Sequence, residues 1–163
     1  VLSRGRICFF RSHHACFVEV IPARESHRKG IEAMTLAACA LVLIGGFLGG
    51  ISRFFLSGVV GRGIGETFPW GTLLVNVSGA LAIGAFAGAA RIHGGIFASD
   101  LFRDLIVVGL FGGYTTVSSF CLQTLNLALD GEGRLAAFNI VASSVLCVLF
   151  VALGFWAVLW MAG

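Results

Sequence analysis

From residue 34 onward the chain alternates long apolar runs with short polar connections. The runs at 35–56, 70–90, 105–129 and 136–161 are each close to the roughly 20 residues that a helix needs to cross the hydrocarbon of a bilayer. This pattern predicts an all-α membrane protein with four transmembrane helices. The connection at 58–69 is rich in glycine, that at 91–104 is polar and charged, and Asp-Gly-Glu-Gly-Arg-Leu at 130–135 reads as a tight turn. Trp70, Trp156 and Trp160 fall near span ends, where indole rings favour the headgroup layer and act as anchors.

The third run contains Gly109-Leu-Phe-Gly-Gly-Tyr-Thr-Thr-Val-Ser-Ser-Phe120. Glycine weakens a helix, and clustered hydroxyls compete with its backbone ladder. The stretch therefore predicts a third helix broken at mid-membrane. Freed backbone groups are tolerated at that depth only when they are buried in protein or line a wet cavity, so 109–120 is a candidate site.

Composition strengthens the membrane assignment: 58% of the 163 residues are hydrophobic and 12% charged, with a mean hydropathy of +0.97. Twenty-three glycines fit closely approaching helices. The formal charge of +3 is uneven, since residues 1–33 hold six Lys/Arg and three Glu while 34–163 hold five of each sign. The chain divides into an N-terminal basic extension, 1–33, and a four-helix domain, 34–163. An internal start at Met34 is expected, with 1–33 disordered or not native; the other reading is a basic arm lying on anionic lipid. Within the domain the side holding the second connection has Arg91 and Arg103 and the other has Arg53, Arg62 and Arg134. That near balance sets no orientation and would permit dual insertion.

The five cysteines form no CxxC pair and read as small packing residues. Cys8, His13, His14 and Cys16 match no zinc spacing. Gly61-Arg-Gly-Ile-Gly65 lacks the GK[ST] ending of a phosphate loop. No nucleotide or nucleic-acid partner is expected.

No carboxylate lies deep in a span and no Lys, Arg or His lies at a span centre. Proton-coupled carriers usually need such a relay, and an enzyme needs a buried catalytic constellation, so neither class is expected. Neutral polar groups remain. Thr72 and Asn76 share a helix face, and Asn139, Ser143 and Cys147 form a second stripe at the same spacing. Their N–H and O–H donors could replace water around an anion, or they could simply link helices. Arg53, near the end of the first span, could snorkel to the interface or draw anions toward a vestibule.

Three segments resemble the signature stretches of the CrcB/Fluc fluoride channels, in the right order and one in each of the first three spans. They are Gly45-Gly-Phe-Leu-Gly-Gly-Ile-Ser-Arg-Phe54, Phe68-Pro-Trp-Gly-Thr-Leu-Leu-Val-Asn-Val-Ser-Gly79 and Gly112-Gly-Tyr-Thr-Thr-Val-Ser-Ser-Phe120. The resemblance covers 35–161. It implies an antiparallel, dual-topology dimer in the cell membrane, with two narrow pathways that export fluoride passively from the cytoplasm. Backbone carbonyls of Gly112 and Thr115 are expected to hold a structural Na+ at the dimer interface. Thr72, Asn76, Thr116, Ser119, Phe120, Asn139 and Ser143 are expected to line the anion path, with Arg53 in the vestibule.

The family lines its path with two phenylalanines in the third motif, whose positive ring edges can face an anion. Phe120 matches the second, but the first is Val117. Gly50, Phe54 and Ser119 replace the commoner Ala, Tyr and Thr. The valine leaves open a homodimer, or a heterodimer with a second family subunit that supplies the ring. Two rival functions differ in class. A small four-helix multidrug exporter should carry a Glu in its first span, and 35–56 contains no acidic residue; a non-transporting membrane assembly protein would use the polar stripes only to bind helices together.

Overall fold

The computed structural model describes residues 36–65 and 67–162. The expectations for 1–33, including the basic arm and its Cys and His residues, lie outside the described residues. Helix α1 spans Leu36–Ile64 and α2 spans Trp70–His93. A 3-10 turn at Gly95–Ala98 leads into the third span, whose first part, α3 (100–114), joins Asp100–Phe102, a wide π-helical stretch Arg103–Phe111, and Gly112–Tyr114. Val117–Leu129 forms α4 and Gly133–Ala162 forms α5. No strand occurs among the described residues. The four runs of helix are long and apolar enough to cross a membrane.

The helices outrun the apolar segments because a nucleated helix gains a bond with each added residue. At ~1 kcal/mol apiece, glycines weaken but do not stop it. Thus α1 passes through Gly58, Gly61 and Gly63, and the expected connection at 58–69 shrinks. It ends where Gly65, at φ 113°, donates its N–H to the Gly61 carbonyl at 3.0 Å, a conformation that L side chains rarely adopt. Pro69 precedes α2, where its missing N–H costs no helical bond. Much of the expected polar connection at 91–104 is also helical: Ser99 caps the third span by accepting the Phe102 N–H at 3.3 Å, and Asp100 lies in its first turn, where a negative charge meets the positive end of the dipole. The turn at 130–135 is confined to three residues between α4 and α5, with Gly131 at φ 84°.

The central helix is α2. A third of its membrane-crossing window is buried, against 11% or less in the other three spans. Its most extensive partner is α5, and the third span packs mainly on α1. Leu73 and Val77 of α2 join Phe68 in a buried cluster closed by Leu135, Leu146, Cys147 and Phe150. Since lipid tails are as apolar as Leu, such contacts gain mainly by close packing.

Glycine sets two of these approaches. A Cβ at Gly84 would strike the Val151 carbonyl oxygen, and one at Gly154 would strike that of Leu81, so α2 and α5 meet backbone to backbone. Gly45 and Gly49 likewise face the Leu105 and Leu110 carbonyl oxygens of α3. By contrast, a Cβ at Gly50 would meet nothing within 4 Å. Gly84→Ala should therefore cost about 1–3 kcal/mol, as overpacking does, and broaden or abolish the monodisperse peak on size-exclusion in mild detergent. Gly50→Ala should leave it unchanged. Equal heat resistance of the two variants would sink this account of the helix contacts.

Candidate functional site

The wide turns of the third span end at Phe111, and one α-helical turn carries α3 on to Tyr114. Thr115 (φ −74°, ψ 154°) and Thr116 (φ −148°, ψ 122°) have extended backbone, and α4 begins at Val117. Several local bonds stabilise this geometry. The Phe111 carbonyl accepts both the N–H and the hydroxyl of Thr115, each at 2.9 Å. Thr116 caps α4, its Oγ1 accepting the Ser119 N–H at 3.2 Å and lying 3.1 and 3.2 Å from the Ser118 and Ser119 hydroxyls.

The decisive partner comes from α2. Asn76 Oδ1 accepts the Thr116 N–H at 2.7 Å, and Asn76 Nδ2 donates to the Thr116 carbonyl at 3.0 Å. One primary amide thus serves both backbone groups of a residue outside the helical ladder, as a neighbouring strand would. In an unbroken α-helix the Thr116 N–H would bond to the Gly112 carbonyl, and the Ser119 N–H to that of Thr115. Both donors are diverted, the first to Asn76 and the second to the Thr116 hydroxyl. The Gly112 and Thr115 carbonyls, named from the sequence as cation ligands, thus lie outside the α-helical pattern, as do those of Gly113 and Tyr114, because α3 stops at Tyr114 and α4 begins at Val117.

A second polar group ties α4 to α5. Asn139, only 2% exposed, donates from Nδ2 to Thr124 Oγ1 at 2.7 Å. The Thr124 hydroxyl donates to the Phe120 carbonyl at 2.7 Å, and the buried Ser143 hydroxyl donates to Asn139 Oδ1 at 3.3 Å. The two polar groups converge on one groove of about 330 Å³, whose lining includes Asn76, Thr115, Thr116, Val117, Phe120 and Ser143. None of its lining residues is charged, so it offers an ion dipoles and ring edges.

The remaining expected residues lie elsewhere. Ser119 is bonded to Thr116 outside the groove lining. Thr72 is buried and lines a separate cavity of about 460 Å³ at the junction of α1 and α2, together with Arg62 and Gln123. Gln123 Oε1 is buried there without a hydrogen-bond partner. Arg53 is half-buried on α1 and lines neither cavity; the arginine that does is Arg62. Tyr114 turns from the groove and places its hydroxyl 2.9 Å from that of Ser78.

Thr124 and Gln123 escaped the sequence reading. A usable signal was present: Thr116, Phe120 and Thr124 recur every four residues and so share a face of the third span. The glycine and hydroxyl motif itself ends at Phe120, one turn short of Thr124.

Four membrane-crossing helices, three of which line a neutral polar groove, define a polytopic membrane protein of the transport class. The profile of the CrcB-like protein family (Camphor Resistance, CrcB) matches residues 40–155, and the chain belongs to that family. It is 64% identical over 127 residues to the fluoride-specific ion channel FluC 4 of Brucella abortus biovar 1 (strain 9-941), covering 78% of this chain and 96% of the relative. It is 54% identical over 114 residues to the fluoride-specific ion channel FluC 2 of Rhodopseudomonas palustris (strain BisB18), covering 70% and 87%. With the fluoride-specific ion channel FluC of Rhodospirillum rubrum it shares 50% identity over 113 residues, 69% of this chain and 88% of the relative.

Removing the Asn76 amide leaves the Thr116 N–H and carbonyl without their partner. Asn76→Ala should lower stability by about 1–3 kcal/mol, and amide exchange over 115–119 should accelerate while that in the middle of α5 stays slow. Asn76→Asp should be worse, because an ionised carboxylate would face the Thr116 carbonyl. Unchanged exchange at 115–119 in both variants would show that the backbone there does not depend on Asn76.

Proposed function

We propose that the protein is a fluoride channel of the cell membrane that lets F⁻ leave the cytoplasm down its gradient. The observation that carries the reading is the uncharged groove at Asn76, Thr116, Phe120 and Ser143, in a chain whose relatives are called fluoride-specific ion channels. Hydrogen fluoride crosses membranes as a neutral species and dissociates inside, so a passive path for the anion lowers internal fluoride and its toxicity. Conduction requires contacts favourable enough to admit an ion and weak enough to release it. Asn76 keeps one N–H beyond the bond it gives to Thr116, and the positive edge of Phe120 adds an attraction without a full charge.

The groove is open on one side, and Val117, 74% exposed, stands on it. In this reading a second subunit, antiparallel to the first, closes it: another copy of this chain, or a related subunit whose aromatic ring covers Val117. The carbonyl oxygens of Gly112 and Thr115 are hard ligands of the kind that suit Na+. Their release from the α-helical pattern fits a structural sodium ion at the junction of two subunits. Such an ion would supply positive charge to hold facing carbonyls together, while Asn76 and the Thr116 hydroxyl keep those carbonyls free of helical donors.

Liposomes loaded with fluoride and containing this protein alone should release it to a fluoride electrode, while chloride-loaded vesicles stay tight. Val117→Phe should speed release if the missing ring limits the homodimer. Absence of fluoride release from both proteins, with each folded and dimeric, would reject the channel reading. For sodium, linkage gives the sign: an ion bound only by the folded dimer raises its melting temperature. Exchanging Na+ for N-methylglucamine should therefore lower that temperature in detergent, and an identical melting curve in the two buffers would count against a sodium site.

A further inference from the structure

The hydrogen bonds around Asn139 have a direction that can be deduced from one backbone group. The Phe120 carbonyl can only accept, so the proton of the Thr124 hydroxyl, 2.7 Å away, is committed to it. Thr124 Oγ1 can then only accept from Asn139, which turns the NH2 of the amide toward α4. The amide oxygen consequently faces Ser143, and the Ser143 proton is drawn to it. Ser143 lines the groove, yet in this arrangement its hydroxyl presents lone pairs there. Its donor is turned inward, through the longest bond of the series at 3.3 Å.

We infer that Thr124 is a positioning residue that fixes the polarity of this chain and thereby sets what an anion must do to bind at Ser143; the inference rests on the fluoride reading. An anion can gain the Ser143 proton only by taking it from Asn139 Oδ1, in a residue 98% withdrawn from solvent. A compact, strongly accepting anion such as fluoride can make that exchange, whereas a larger and weaker acceptor such as chloride gains less for the same loss. Thr124 thus adds to discrimination while touching no ion, and keeps the Ser143 site weak enough to release what it binds.

In Thr124→Val the shape is kept and the acceptor is lost. The Asn139 amide can then reverse and donate to Ser143, freeing the serine proton to face the groove. The fluoride-over-chloride flux ratio should fall by roughly three- to tenfold, the weight of one hydrogen bond, and flux should saturate at lower fluoride. Thr124→Ser, which restores the hydroxyl, should recover both. Thr124→Cys, whose thiol is a poor acceptor, makes the same test if the valine variant does not assemble. A second readout needs no flux: the 15N-labelled side-chain amide of Asn139 should shift in the valine variant and return in the serine variant. If the amide resonance and the selectivity both match wild type in Thr124→Val, the inference is overturned. If wild type conducts no fluoride yet the amide shifts as described, the fluoride reading fails while the assigned hydrogen-bond direction stands.

Discussion

The side-chain amide of Asn76 bonds both backbone groups of Thr116, and the geometry of the third span depends on that pair. Unsatisfied backbone groups cost several kcal/mol in hydrocarbon, so an extended stretch within a spanning segment needs partners supplied from elsewhere. A primary amide is suited to this, because it carries a donor and an acceptor at the spacing of a peptide group. The Phe111 carbonyl and the Thr116 hydroxyl complete the arrangement on either side. The Thr116 and Ser119 donors are diverted, and the carbonyls from Gly112 to Thr115 are left outside the ordinary α-helical pattern.

An interaction of this kind is only as reliable as the placement of the helix that supplies it. Asn76 lies on α2, the most buried of the spans, which approaches α5 through Gly84 and Gly154 until backbones touch. Close packing of α1 on α3 at Gly45 and Gly49 positions the segment leading to Thr115. The glycines and the amide therefore act at different levels. The former set helix distances, and those distances bring Asn76 to Thr116.

The membrane spans were legible because apolar run length is a direct consequence of bilayer thickness. An interruption somewhere in 109–120 was suggested too, since glycines and hydroxyls clustered in an apolar run contradict the local preference for helix; which residues would leave the helix was not. The ends of the helices were not legible. Gly58, Gly61 and Gly63 look like a loop in sequence, yet the helix crosses them, because stopping depended on Gly65 adopting a positive φ. Among the site residues, Asn76, Thr116, Phe120 and Ser143 line one groove, whereas Thr72 lines another cavity with Gln123 and Arg62. Whether a polar residue on a helix faces one cavity or the next depends on helix rotation, which short polar stripes leave undetermined.

The sequence posed a choice for each polar residue, between binding helices together and binding an ion. The structure shows the first of these roles for both asparagines. Asn76 uses its oxygen and one N–H on Thr116, and Asn139 uses its oxygen and one N–H on Ser143 and Thr124; an amide has a second N–H in reserve. Groups already engaged with protein cannot swing to surround an ion, so whatever they offer is fixed in direction and limited in number. A charged residue in the same groove would attract an anion more strongly and release it more slowly. In the proposed channel, neutral groups spent largely on structure are therefore the better material for a path through which an ion must keep moving.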